Sequence, residues 1–313
     1  MIEKPGKTVV VTADAIDGSW VYRQAPMSVR PYLKLARLDR PVGTWLLLWP
    51  CWWSMSLMIS GYSLLELGWI ALLFAIGALA MRGAGCTYND IVDADIDVQV
   101  DRTRSRPIPA GEVSKGQAWA FLVFQCLVGL GVLLQFNLFA IYLGLGSLVL
   151  VALYPFMKRW TSWPQAWLGL TLNWGALMGW AALDGALGWP AVALYAGAVF
   201  WTLGYDTIYA HQDKEDDALI GIGSSALVLG EKTKPALWVF YGLFFIGLIS
   251  AGVLANLGLI FYVGIAFAGI QLVAQIRAVD IDDPDKCLEV FRSNTDFGWT
   301  VLLCFLLGHY SVW

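Results

Sequence analysis

Asn89 or Asp90, Asp93 and Asp97 recur three to four residues apart, which puts them on one face of a helix. Carboxylates held that close repel one another unless a cation neutralises them. Oxygen-only donors suit a hard ion such as Mg²⁺, which keeps waters and shares phosphate oxygens with a substrate. A solvated acidic helix end needs no such spacing. A calcium-binding loop starting at Asp93 needs Gly where Val98 stands and Glu where Arg104 stands, so that alternative fails. Asp95 is an additional acid between the spaced positions.

Directly after this cluster come Asp101, Arg102, Thr103, Arg104, Ser105, Arg106 and Pro107. Arginines so close together bind phosphate oxygens bidentately, or serve as a topology signal touching lipid headgroups. Pro107 and Pro109 stiffen the loop. A second acidic segment carries Asp206, Asp213 and Asp217 at i, i+7 and i+11, again one helical face. Two such clusters on one side of a membrane suggest two metal ions bracketing one polyanion.

Lone charges are less specific. Arg82 lies inside an apolar run, where it binds a substrate carboxylate or pairs with an Asp. Lys158 and Arg159 hold a diphosphate or act as a stop-transfer pair; Arg37, Asp39 and Arg40 carry the same ambiguity. His211 reads as a polar interfacial residue rather than a ligand. Gly221 to Ala226 resembles GxGxxA, but no strand precedes it, so a dinucleotide fingerprint is discarded.

The elements that position these residues are membrane helices. The 313 residues are 58% hydrophobic and 14% charged, against about 25% charged in soluble domains, too few to cover a watery surface. The net charge of -4 argues against nucleic acid as a partner. Five scattered cysteines form no CxxC pair and predict neither a disulfide framework nor a zinc site. The first 30 residues lack a signal-peptide core, so insertion is expected to use the first membrane helix.

Nine apolar runs are long enough to span: 43–60, 66–88, 117–135, 139–156, 165–183, 188–208, 235–254, 258–276 and 298–313. All basic residues except Arg82 fall in 1–42, 89–116, 157–164, 209–234 and 277–297, which predicts a cytoplasmic N-terminus and an extracytoplasmic C-terminus. Residues 29–38 are expected to form an amphipathic stretch at the interface, with Arg30, Lys34 and Arg37 at helical spacing. The expected organisation is a cytoplasmic segment over 1–30 and a membrane domain over 31–313.

The pattern Asn89-Asp90-x-x-Asp93-x-x-x-Asp97 followed by Asp101 to Pro107 resembles the UbiA family of intramembrane prenyltransferases. So does Tyr205-Asp206-Thr207-x-Tyr209-Ala210 with Asp213, Asp217 and Ile220 to Ser224. Arg37 to Thr44, Met81 to Cys86 and Tyr154 to Arg159 resemble the bacterial members that act on 4-hydroxybenzoate. The resemblance runs from about residue 30 to the C-terminus.

It implies an all-α fold of nine transmembrane helices around a central cavity open to the cytoplasmic side, in a cell inner membrane. It also implies transfer of a polyprenyl group from polyprenyl diphosphate to the ring of 4-hydroxybenzoate, ortho to the hydroxyl, for ubiquinone. Asn89, Asp90, Asp93, Asp97, Asp213 and Asp217 are then expected to hold Mg²⁺, with Asp206 beside them. Arg37, Arg40, Arg82, Arg102, Arg106, Lys158 and Arg159 would bind substrate. Tyr154, Tyr205 and Tyr209 would face the allylic cation. Acceptors such as haem, a menaquinone precursor or chlorophyllide, and a cation transporter, are the alternatives.

Overall fold

The computed structural model of the chain describes residues 18–99 and 103–310, so Arg102 lies outside the described residues. The regular elements among these residues are all helical. In chain order they are α1 (Trp20–Arg23), α2 (Arg30–Leu35), α3 (Val42–Ser56), α4 (Leu64–Asp97), α5 (Lys115–Leu133), α6 (Leu138–Trp160), α7 (Pro164–Leu172), α8 (Gly175–Asp184), α9 (Trp189–Ala210), α10 (Lys214–Ile220), α11 (Ser225–Leu229), α12 (Thr233–Leu254), α13 (Leu259–Ala278), α14 (Pro284–Arg292) and α15 (Asn294–Gly308).

By length and apolarity, five segments among the described residues qualify as membrane spans. They are Leu64–Asp97, Lys115–Leu133, Leu138–Trp160, Ser225–Leu254 and Leu259–Ala278. The other expected spans coincide with α3, with α7 and α8, with α9 and with α15. The run 165–183 is not one helix. The Asn173 amide donates to Gly169 O (2.8 Å) and Thr202 Oγ1 (2.7 Å), and a side chain bonded this way competes with the helical ladder.

The chain divides into two compact units, Met1–Gly43 with Leu79–Gly129, and Thr44–Ala78 with Leu130–Trp313. The core of the first joins Leu35 of α2, Ala84 and Ile91 of α4, and Ala118 and Leu122 of α5, with Val113 from the intervening loop. α5 opens on a reciprocal cap: Ser114 Oγ accepts from Gln117 N, and Gln117 Oε1 accepts from Ser114 N. The loop before it is folded on itself, Glu112 and Val113 N both donating to Pro107 O. Ile108 and Val113 anchor it in the core. Lys34 Nζ, buried on α2, donates to Glu112 Oε2 at 2.7 Å and ties the loop to that helix.

That pairing corrects the expected interfacial stretch. α2 ends at Leu35, Lys34 points inward, and Arg30 bonds Ala25 O. The chain leaves α2 by a Schellman turn: Leu38 N donates to Leu33 O and Arg37 N to Lys34 O. Arg37 occupies the left-handed position (φ 58°) where glycine is usual.

In the second unit α9 and α12 touch through bare backbone. A Cβ added at Gly197 would lie 2.8 Å from Gly247 Cα, the close approach that small residues permit between membrane helices. Trp201 of α9 packs against Trp53 (centroids 4.9 Å), Phe244 and Phe297 (both 5.8 Å). This aromatic core fixes the helix whose end carries Asp206.

Candidate active site

α4 stays helical through Asp97, so its spaced acids share one face as their spacing predicts. Asp90 and Asp93 are fully buried and Asp97 is 3% exposed; Asn89 is half-buried beside them. Among the described residues, Arg37 and Arg106 reach this face. Arg37 donates to Asp90 Oδ1 at 2.6 Å, and Arg106 donates to Asp90 Oδ1 at 3.2 Å and Asp97 Oδ2 at 2.8 Å. Burial opposes the Arg37 charge, but attraction to Asp90 leads the groups that outweigh it and hold its pKa above the ordinary value. A left-handed conformation costs a non-glycine residue roughly 1–2 kcal/mol, and here it swings Arg37 out of α2 toward α4. The other Asp90 oxygen, Oδ2, is buried without a hydrogen-bond partner among the described residues.

Asp95 leaves this group. It is exposed and pairs with Lys115 at 3.2 Å on the surface. Arg40 lies 3.6 Å from the buried Asp39, whose other oxygen accepts from Tyr22 Oη at 3.1 Å. Arg82 is half-buried on α4 with its guanidinium against Gly43.

The second acidic segment is not the single helix face its spacing predicts. α9 ends at Ala210, a 3-10 turn covers His211–Asp213, and α10 starts at Lys214. Asp206, Asp213 and Asp217 therefore sit on a helix, a turn and a second helix, all half-buried. His211 is buried and shares a hydrogen bond with Thr233 Oγ1 at 2.9 Å. Burial, and then Lys214, push its imidazole down to about 4 against the pull of Asp282, so the ring is neutral near pH 7. Tyr205 is fully buried against Trp201 and Phe291, and Tyr209 packs on Phe291 at 4.5 Å.

Lys158 and Arg159 close α6 beside a cleft of about 360 Å³ that Gly221, Gly223 and Ser224 also line. Gly223 N donates to Lys158 O at 2.8 Å, so the glycine-rich segment rests on this backbone, with no strand before it. Arg159 lies over the Phe156 ring at 5.8 Å, one turn beyond the half-buried Tyr154. Sequence reasoning missed Glu112 and misplaced Lys34. Their pairing joins positions far apart in the chain, and neither residue carries a local signal for it.

Residues 47–307 match the model of the UbiA prenyltransferase family. The mitochondrial 4-hydroxybenzoate polyprenyltransferase of Arabidopsis thaliana is 48% identical over 312 residues, covering 97% of this chain and 76% of that protein. The mitochondrial enzyme of the same name from Homo sapiens is 46% identical over 310 residues, 98% of this chain and 81% of its own length. Among solved structures, an apo UbiA homolog from Aeropyrum pernix K1 superposes with a TM-score of 0.69 at 24% identity, covering 85% and 96% of the two chains. A UbiA homolog from Archaeoglobus fulgidus bound to DMAPP and Mg²⁺ gives 0.59 at 19% identity, covering 87% and 99%. These two likenesses carry the fold.

The relatives overturn one expectation. Both are mitochondrial enzymes, so the expected placement in a cell inner membrane, with cytoplasmic and extracytoplasmic termini, is withdrawn. The multi-pass membrane character stands. Charge bias orients a chain relative to the side of insertion, and carries no address for an organelle.

Proposed function

The chain belongs to the UbiA prenyltransferase family, and we propose that it transfers a polyprenyl group from polyprenyl diphosphate to the ring of 4-hydroxybenzoate, ortho to the hydroxyl, in ubiquinone biosynthesis. The observation that carries the reading is the charge arrangement on α4. Buried carboxylates alternate with the guanidiniums of Arg37 and Arg106. A path for bare cations has no use for arginines on its acids, whereas a metal-bound diphosphate needs both signs.

The donors fit a divalent cation such as Mg²⁺. They are oxygens only, and Asp90 Oδ2 is buried without a hydrogen bond. Among the described residues no three His, Cys, Asp or Glu side chains are arranged to hold a metal by themselves. Asn89, Asp90, Asp93 and Asp97 would hold it on α4. Asp213 and Asp217, with Asp206, offer donors of the same type in the second unit. When bound, Mg²⁺ supplies Lewis-acid neutralisation of the diphosphate leaving group.

The protein's own groups do the rest. Arg37 and Arg106 supply charge-assisted hydrogen bonds to phosphate oxygens, and Lys158, Arg159 and Arg102 are assigned the same role. Arg82 is assigned to the acceptor carboxylate, and Arg40, beside Asp39, to substrate binding. Tyrosine faces stabilise an allylic cation by roughly 0.5–2 kcal/mol each, the role given to Tyr154, Tyr205 and Tyr209. Apolar membrane helices keep that cation from water.

The test incubates purified protein with 4-hydroxybenzoate, a polyprenyl diphosphate and Mg²⁺, with and without EDTA, and weighs the products. Prenylated 4-hydroxybenzoate is expected, and is lost with EDTA. Its absence while haem or chlorophyllide is prenylated would overturn the choice of acceptor.

A further inference from the structure

We propose that Gly43 is the positioning residue for Arg82: its missing side chain is the space in which the guanidinium is held. The inference rests on the assignment of Arg82 to the acceptor carboxylate and adds what places it there. A Cβ at Gly43 would lie 2.5 Å from both Nε and Nη2 of Arg82 and 2.7 Å from Cζ. The three atoms nearest that point all belong to the one guanidinium, so the head group, its Nε–Nη2 edge foremost, occupies the space a side chain at position 43 would fill.

Nothing local requires glycine there. Gly43 is the second residue of α3 and is not among the glycines with positive φ. Alanine is the better helix former, so glycine weakens the start of α3. The guanidinium also stands at the end of α3 where the helix dipole disfavours a cation and favours an anion. A carboxylate drawn to Arg82 meets both preferences.

The backbone that carries Arg82 cannot retreat. A Cβ on the next residue, Gly83, would strike Gln125 Nε2 and lie 3.2 Å from Ala36 Cβ. Ala84 is buried in the core with Leu35 and Leu122, and Thr87 Oγ1 donates to Gln125 Oε1 at 3.1 Å. A side chain at position 43 is therefore met most cheaply by rotation of the Arg82 side chain. A flexible side-chain end moves cheaply, so the fold is kept while the charge is displaced. This separation is what makes the proposal testable.

The experiment measures KM for 4-hydroxybenzoate and for the polyprenyl diphosphate, with Mg²⁺ present, in wild type, Gly43→Ala, Arg82→Met and the double variant. A displaced charged hydrogen bond raises the acceptor KM about tenfold in Gly43→Ala, with the diphosphate KM held within about twofold. The melting temperature in detergent does not fall. The double variant is no worse than Arg82→Met alone, because the glycine acts through that arginine. If Arg82→Met raises the acceptor KM and Gly43→Ala does not, or if the two effects add in full, the positioning role is refuted and the carboxylate assignment survives. If Arg82→Met leaves the acceptor KM unchanged, the carboxylate assignment fails and the inference falls with it.

Discussion

Asp90 and Asp95 stand on the same helix in opposite surroundings. Asp90 is fully buried and takes both Arg37 and Arg106 on one oxygen, whereas Asp95 meets Lys115 in solvent. Exposed pairs contribute at most about 1 kcal/mol, so Asp95→Asn is expected to retain normal prenyl transfer and thermal stability. Asp90→Asn removes the carboxylate charge on which the half-buried Arg37 and Arg106 both rest, and preorganised charge of this kind is worth about 10²-fold or more in rate. Initial rates of both variants in membranes at saturating Mg²⁺ decide the matter; equal activities would remove α4 from the chemistry. Helical spacing alone separated Asp90, Asp93 and Asp97 from Asp95. It carried no information on which arginines arrive, because Arg37 comes from a left-handed turn off another helix.

At the level of elements, α2, α4 and the loop over 103–113 act together. Lys34 on α2 holds Glu112, Glu112 N bonds Pro107 O, and the same loop presents Arg106 to α4. Lys34 is buried but Glu112 is exposed, so removing the acid leaves a buried ammonium without its partner, and Glu112→Gln is expected to lower the melting temperature in detergent by several degrees. The double variant Lys34→Met with Glu112→Gln should recover most of that loss, since no buried charge is then left without a partner. A double variant as unstable as the single one would show that the pair is not what holds the loop. The second acidic segment teaches the converse at this scale. Its spacing fits one long helix, but the chain turns at His211–Asp213, where a buried neutral imidazole meets Thr233.

For the molecule as a whole, composition governs. Few charges and five long apolar helices mean that lipid, not water, solvates most of the surface. An alkaline carbonate wash is expected to leave the protein in the membrane pellet, and detergent is needed to release it. Recovery in the supernatant would contradict a multi-pass protein.

The sequence by itself determined the all-helical membrane class, the acid face of α4 and the family. Each depends on local periodicity, composition or a contiguous motif, and these survive without knowledge of distant contacts. Tertiary structure decided the rest. It turned Lys34 inward to Glu112, seated Arg37 and Arg106 on Asp90, broke the 165–183 run at Asn173, and laid Arg82 on Gly43. Most of those outcomes join residues distant in the chain, and a buried charge takes whichever partner the packed backbone brings within reach.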